Sequence, residues 1–426
     1  MSSNALSNAT AFRPRALYNK LSSAQIVQGF NPIAPDEIRV ANRAVVGTWQ
    51  YVDAQSGGNW GSQATFRIPN QMGLVYETFL DIGLPADAVT YAALPAVNLV
   101  QRCTVTIGNL LIDCSGESLF EADRAFACQD FRTQMIQSAG GSGGTGMASS
   151  NIQLQLDYPG KIRSSKPGLV HSFDAACGTP FPLNKCNTDM LYQITLQSAA
   201  KMVSTGSAPV GQPTLRLWYL CVASDGAGDM LPANANSGNN SALIPGYRVN
   251  EVVQSATAVT LTPGVQFSID PKPSVFDAEL IWILLKIKLN SDIAVNNNMT
   301  CYQIKELHQK VNGNDYYQHY NAQCAQYMNS LYVNENPYDF IPAGATAGQA
   351  VNLFTYQIPQ NLSPSSDVFG AEWAGFNIFD QSTLMQITPL SASGAGTVYC
   401  ATVNKCYWII SPSGSIDITY TGSSNR

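Results

Sequence analysis

The chain has 426 residues, of which 45% are hydrophobic, 10% aromatic and only 12% charged, with a formal net charge of -6. That length exceeds what one hydrophobic core usually supports, so two domains are expected. The aromatic content argues against disorder, and the acidic balance argues against wholesale nucleic-acid binding, which needs a basic footprint to displace phosphate counterions. Globular proteins carry about 25% charged residues, whereas the polar positions here are mainly Asn, Gln, Ser and Thr. Two kinds of protein suit such a surface. One is a β-rich secreted domain with a neutral exterior. The other buries its outside against copies of itself, since charge is depleted at interface cores.

Residues 1–10 are small and polar with no apolar stretch of signal-peptide length behind them, so a soluble protein made in the cytosol is expected. Residues 15–27 can form a short amphipathic helix after Pro14, with Leu17, Leu21 and Ala24 on one side. This segment is either an arm reaching a neighbour or a membrane surface, or a frayed terminus. Two small basic clusters, Arg13, Arg15 and Lys20, then Lys161, Arg163 and Lys166, read as solvated arm and loop. Residues 64–68 and 74–82 read as a first pair of strands separated by the turn formers Pro69 and Asn70. From 102 to 107, Cys103, Val105 and Ile107 alternate with polar residues, which gives one apolar face at period two. Gly108-Asn109 is a suitable hairpin turn. It sets Ile107 opposite Leu110, Val105 opposite Ile112, and Cys103 opposite Cys114. A disulfide at the last pair is disfavoured, because the pair falls at a hydrogen-bonded position where side chains diverge, and a cytosolic chain keeps its thiols reduced.

Residues 117–136 lose the alternation and place Leu119, Ala122, Phe126 and Ala127 near helical spacing. Residues 138–150 are glycine-rich and read as a flexible loop. Strand character returns over 170–196, and 214–222 is a strongly apolar core strand. The domain boundary is placed within 225–245, giving an N-terminal arm and lead-in over 1–60, a first sandwich over 61–235 and a second over 236–426. Strands of the second half are read at 249–261, 267–269, 278–289, 351–358, 383–387, 398–403, 407–410 and 415–421, with a helix over 316–331. No sequence repeat relates the halves.

Catalytic and metal chemistry find little support. There are three histidines, His171, His308 and His319, and no H-x-H, H-E-x-x-H or C-x-x-C spacing. His308, His319 and Cys324 read as unassociated residues. The run from Gly140 to Gly144 formally matches a G-x-S-x-G nucleophile elbow, but its flanks lack the strand and helix that the elbow needs. Asn8, Asn239, Asn298 and Asn361 open N-x-[ST] acceptors that read as chance matches. No catalytic, cofactor-binding or metal-ligating residue is therefore assigned.

Several segments, in order, resemble the double jelly-roll major capsid proteins of nucleocytoplasmic large DNA viruses, virophages and polinton-like viruses. They are 99–116 (LVQRCTVTIGNLLIDCSG), 179–196 (TPFPLNKCNTDMLYQITL), 247–254 (YRVNEVVQ), 280–287, 310–317 (KVNGNDYY), 352–360 (NLFTYQIPQ) and 376–387 (FNIFDQSTLMQI). The stretch 398–420 continues the match through Tyr399, Ala401, Asn404 and Ser413-Gly414. The Arg that the family carries beside the Asp of its late motif is replaced by apolar Ile378 or Phe379, and the first ~60 residues show no match. The resemblance implies an all-β double jelly roll, two consecutive eight-stranded sandwiches with short helices in long loops. It implies a non-enzymatic major capsid protein of an icosahedral DNA virus, made in the host cell and located in the virion. Three chains would form a pseudo-hexagonal capsomer, with no cofactor. Its partners would be its own copies, minor capsid and penton proteins, and an inner membrane within reach of the N-terminal arm; no sequence-specific nucleic-acid binding is implied. The runner-up is a jelly-roll lectin or receptor-binding spike, for which Trp60, Trp373 and Tyr338 are candidate contact aromatics.

Overall fold

Along Gln63–Ile68 and Met190–Leu196 every second side chain is fully buried. That period of two, carried by Ala64, Phe66 and Ile68 in one segment and Met190, Tyr192, Ile194 and Leu196 in the other, is what makes these segments strands with one face in a core. The structure is a computed structural model. It describes residues 47–87, 89–126, 129–141, 143, 151–159, 161, 181–222, 242–254, 260–270, 279–294, 301–302, 304–321, 352–355, 376–377 and 383–420.

The first half runs through β1 (Gly47–Asp53), β2 (Gln63–Ile68), β3 (Leu74–Gly83), β4 (Thr90–Tyr91), α1 (Pro95–Leu99), β5 (Val100–Ile107) and β6 (Leu110–Cys114). It continues with α2 (Gly116–Phe126), α3 (Gln129–Ser138), β7 (Asn151–Gln155), β8 (Phe181–Pro182), β9 (Met190–Leu196), β10 (Val203–Thr205) and β11 (Thr214–Val222). The second half holds β12 (Ala242–Gln254), β13 (Thr260–Leu261), β14 (Phe267–Ile269), β15 (Glu279–Leu289), α4 (Asn290–Ala294), β16 (Ile304–Val311) and β17 (Asn314–Asn321). It ends with β18 (Asn352–Thr355), β19 (Phe376–Asn377), β20 (Thr383–Pro389), β21 (Gly394–Ile410) and β22 (Ile416–Tyr420).

The sheet orders identify the topology. In the first half one sheet runs β1-β11-β3-β7 and the other β2-β9-β5-β6; in the second half they run β12-β21-β15-β18 and β14-β20-β16-β17. Numbered along the chain within each half, the strands of both pairs of sheets fall in the same order. It is first-last-third-sixth in one sheet and second-seventh-fourth-fifth in the other. This is the jelly-roll path, two Greek keys folded into facing sheets, and it occurs twice in succession. Short strands such as β8, β13, β19 and β22 pair off these paths.

Two apolar clusters fill the sandwiches. The first joins the inner faces of β2, β3, β5, β9 and β11 through Phe66, Leu80, Val105, Ile194 and Leu217, and reaches across to Val249, Ala401 and Trp408 of the second roll. The second lies between Leu285, Ile287, Leu307, Met385, Ile387 and Val398. Each fully buried side chain of this size contributes roughly 1.5–3 kcal/mol.

The 102–114 hairpin has the expected register, with Ile107 opposite Leu110, Val105 opposite Ile112 and Cys103 opposite Cys114, and the two thiols form no disulfide. Gly108 takes a left-handed φ of 59° at its turn, as a two-residue hairpin loop requires. The helical reading of 117–136 resolves into α2 and α3.

Several other expectations need correction. The segments 64–68 and 74–82 are strands but not a pair: β2 joins β9 and β3 joins β11, in different sheets. A 3-10 turn at Asn70–Met72 and Gly73 carry the chain from one sheet to the other. Over 316–321 the expected helix is strand β17, paired to β16 across a turn where Asn312 and Gly313 both have positive φ; residues 322–331 lie outside the described residues. The strands read at 398–403 and 407–410 are one continuous strand, β21. Strands β1, β7 and β16 were not anticipated; β1 pairs with β11 along Gly47–Asp53. Lys161, read as a solvated loop charge, is fully buried. The 235/236 boundary, the helix over 15–27, Arg13, Arg15, Lys20, Arg163, Lys166, His171, Cys324, Tyr338, Trp373, the four N-x-[ST] sites and most of the 138–150 loop lie outside the described residues.

Candidate functional site: the seam between the rolls

The first roll meets the second through α2 and the edge strand β6, which cover the outer face of β12, β21 and β15. Side-chain direction on those strands follows the pleat. Leu285, Ile287, Val398 and Cys400 point into the core of the second roll. The alternate residues Lys286, Lys288 and Tyr399 therefore point toward the first roll, and Glu251 of neighbouring β12 meets them there.

The helix start explains part of the geometry. Ser115 caps α2: its Oγ accepts the backbone N–H of Ser118 at 3.2 Å, relieving one of the unpaired donors of the first turn. Glu251 sits on the same end. Its Oε2 accepts the Ser115 N–H at 2.8 Å, and its Oε1 accepts Ser115 Oγ at 2.9 Å and Ser118 Oγ at 2.6 Å. A carboxylate suits this position, because the unsatisfied N–H groups of a helix N-terminus carry partial positive charge.

Two lysines complete a buried ionic cluster. Lys286 Nζ donates to Ser118 Oγ at 2.7 Å and lies 3.4 Å from both Glu117 Oε2 and Glu251 Oε1. Lys288 Nζ pairs with Glu117 Oε2 at 2.5 Å, and the Tyr399 ring faces both ammonium groups at 5.3 and 5.5 Å. Burial alone would push the Glu117 and Glu251 carboxyls up, but Lys286 acts on both, Lys288 adds to it at Glu117, and the serine hydrogen bonds add to it at Glu251. Together they hold both carboxyls below the usual glutamate range. Burial likewise opposes the charge on Lys286, yet the two carboxylates hold its pKa above the ordinary lysine value. All three groups are thus charged when the rolls are together.

The other side of α2 is tied to its own roll. Lys161 Nζ pairs with Asp123 at 2.7 Å and donates to the Leu156 carbonyl at 3.2 Å; Arg124 pairs with Glu121 at 2.6 Å. A cavity of about 430 Å³ opens beside the seam, lined by Arg102, Glu117, Glu251, Lys288 and Tyr399 among others. Arg102 is occupied by a two-pronged pair with Asp113, both contacts at 2.6 Å.

This arrangement is suited to holding two domains in a fixed relation. Its carboxylates are neutralised by lysines, and the nearby Cys301 thiol is pushed up to about 12, chiefly by burial, away from nucleophilic use. Among the described residues no group of three His, Cys, Asp or Glu side chains is placed to hold a metal ion. His308 lies on β16 with Nε2 2.5 Å from Asp315, and Trp60 donates its ring N–H to the Gly211 carbonyl at 2.6 Å. The sequence reading did not single out Glu117, Glu251, Lys286 or Lys288. The one available signal was charge on alternate residues of an otherwise apolar strand, Lys286 and Lys288 within ELIWILLKIKL.

No family model matches the chain, and no curated protein matches it in sequence. Solved structures do. PBCV-1 VP54, as fitted into a cryo-EM reconstruction of the virophage Sputnik, superposes with a TM-score of 0.58 at 15% identity, covering 89% of this chain and 98% of that one. A chain of the quasi-atomic model of the PBCV-1 virus capsid gives 0.59 at 13% identity with the same coverage. The Faustovirus major capsid protein gives 0.51 at 10% identity, covering 96% of this chain and 98% of that one. Together with the twice-repeated strand order, these likenesses establish that the chain is a double jelly roll of the type seen in viral major capsid proteins.

Proposed function

We propose that this chain is the major capsid protein of an icosahedral DNA virus, a shell subunit without catalytic activity. The observation that carries the proposal is the fixed pairing of two jelly rolls across a buried ionic seam, in a fold shared over nearly the full length of capsid chains. Two similar upright sandwiches per chain give six around a threefold axis, and such a trimer tiles a hexagonal lattice. A neutral polar exterior, with 12% charged residues overall, suits a surface that packs against its own copies.

On this reading the partners are other copies of the chain, then minor capsid and penton proteins, with the N-terminal arm available to an inner membrane. The product resides in the virion. Electron micrographs of the purified protein in negative stain test it: hexagonal particles are expected, and a field of single elongated molecules contradicts it.

A further inference from the structure

We propose that Lys161 and Asp123, buried in the first roll, react with each other to form an intramolecular isopeptide bond between Nζ and Cγ. The reaction is a single self-modification of the folded chain. It stands apart from the capsid reading, because no second copy takes part in it.

Geometry carries the argument. Asp123 lies on α2, three and four residues after Phe120 and Leu119, so it shares their buried face. Lys161 follows β7, and its backbone N–H closes a turn on the Tyr158 carbonyl at 3.1 Å. Lys161 Nζ lies 2.7 Å from Asp123 Oδ2 and 3.2 Å from the Leu156 carbonyl oxygen. The two side chains are 0% and 3% exposed. Cγ is one bond beyond Oδ2, so the nitrogen is held close to the carbon it attacks, and such fixed proximity replaces the entropy of an encounter. Leu156 and Tyr158 are buried as well, which keeps out the water that would reverse the step.

The bonds balance without a co-reactant. A proton passes from the ammonium to the carboxylate along the 2.7 Å contact, leaving an amine and a carboxylic acid. The Nζ lone pair attacks Cγ, and the carbonyl π pair moves onto oxygen. When the carbonyl re-forms, the hydroxyl departs with a proton from the nitrogen as water. A C–N bond replaces a C–O bond, and nothing is oxidised or reduced. Two buried charges, each carrying a desolvation penalty, become one neutral amide whose N–H the Leu156 carbonyl can accept.

The seam explains why this lysine reacts and its counterparts do not. Burial would raise the Glu117 carboxyl, but Lys286 and Lys288 hold it below the usual range, as a carboxylate that no amine attacks. Around Lys161 the balance is reversed, since one ammonium faces two carboxyl groups. Glu77 of β3 responds to both partners: burial raises it most, Lys161 and the Gln155 hydrogen bond lower it, Asp123 raises it further, and the net shift is upward. This end of the roll therefore retains protons where the seam gives them up. The bond fastens α2, the helix on which the seam is built, to the chain that leaves β7.

Peptide mapping of the purified full-length protein by mass spectrometry tests the proposal. The peptides holding Asp123 and Lys161 are expected as one branched species, lighter than their sum by one water, in most molecules. Lys161→Arg keeps the charge and cannot form the bond, so its intact mass is expected one water above that of the wild type, with circular dichroism confirming its fold. Wild-type peptides recovered only unlinked, after prolonged incubation of the folded protein at 37 °C, overturn the proposal and leave an ordinary buried ion pair. A missing water that persists in Lys161→Arg also overturns it. Glu117 and Lys288 peptides serve as the control within the same digest and are expected unlinked; a link there overturns the contrast drawn with the seam.

Discussion

Glu251, in the opening strand of the second roll, accepts the backbone N–H of Ser115 at 2.8 Å, and Ser115 is the residue that caps α2 of the first roll. One carboxylate thus serves as the anion at a helix terminus and as counter-ion to Lys286, whose Nζ is 3.4 Å away. Removing it leaves a buried ammonium with part of its compensation gone. Glu251→Ala is expected to destabilise the protein by about 3–5 kcal/mol, the usual cost of breaking a buried pair from one side, read as a lowered urea midpoint. Replacing Glu251 and Lys286 together with Leu and Met should recover most of that loss. A double variant as unstable as the single one would show that the pair is not coupled as described.

The seam should also be acid-labile. Glu117 and Glu251 have folded-state pKa values below the ordinary glutamate value, so the stability they contribute is present above ~4.3 and is lost as pH falls through their folded values. Glu77 and Glu121 act in the opposite sense: burial raises them, and their contribution is lost as pH rises through their folded values. Since the depressed pair lies at the seam, acid should loosen the contact between rolls. Thermal midpoints measured from pH 6 down to about pH 2 are expected to fall, and Glu251→Gln should flatten that slope while lowering the midpoint at pH 7. An unchanged slope in the variant would remove Glu251 from the explanation.

Gly116 begins α2 close to β5. A Cβ there would lie 2.7 Å from both Cβ and the carbonyl oxygen of Val100, and a backbone carbonyl in a sheet cannot easily withdraw. Although alanine is the better helix former by about 1 kcal/mol, Gly116→Ala is expected to cost about 1–3 kcal/mol through overpacking. Chemical denaturation of the variant checks this; a more stable Gly116→Ala would mean that α2 stands further from β5.

The cysteine thiols give an independent check on packing. Cys103 and Cys114 face each other across the hairpin as buried thiols that form no disulfide, and burial pushes the Cys103 thiol well above its ordinary value. Native protein should therefore leave both unalkylated by iodoacetamide, while denatured protein should label both, as read by peptide mass spectrometry. Rapid native labelling at Cys103 would contradict the packing of the β5-β9 sheet.

How much of this was legible in the sequence depended on the range of the interaction. The 102–114 hairpin could be read to the residue because its turn and alternation are local. The apolar run Thr214–Val222 is likewise a strand with the expected bounds. Strand pairing was not legible: β2 and β3 are neighbours in sequence but belong to different sheets, since a jelly roll pairs strands far apart in the chain. Where a helix is expected over 316–331, the local Asn312-Gly313 turn, a strong hairpin signal, instead starts strand β17 at Asn314. The seam was invisible for the same reason. Ser115, Glu117 and Glu251 come together only after both rolls have folded, and each alone reads as an ordinary surface polar residue.

The most direct test of the capsid account is the solution mass of the purified full-length protein by multi-angle light scattering. The account predicts a stable species at three times the 45.8 kDa chain mass. A monodisperse monomer at micromolar concentration would contradict it.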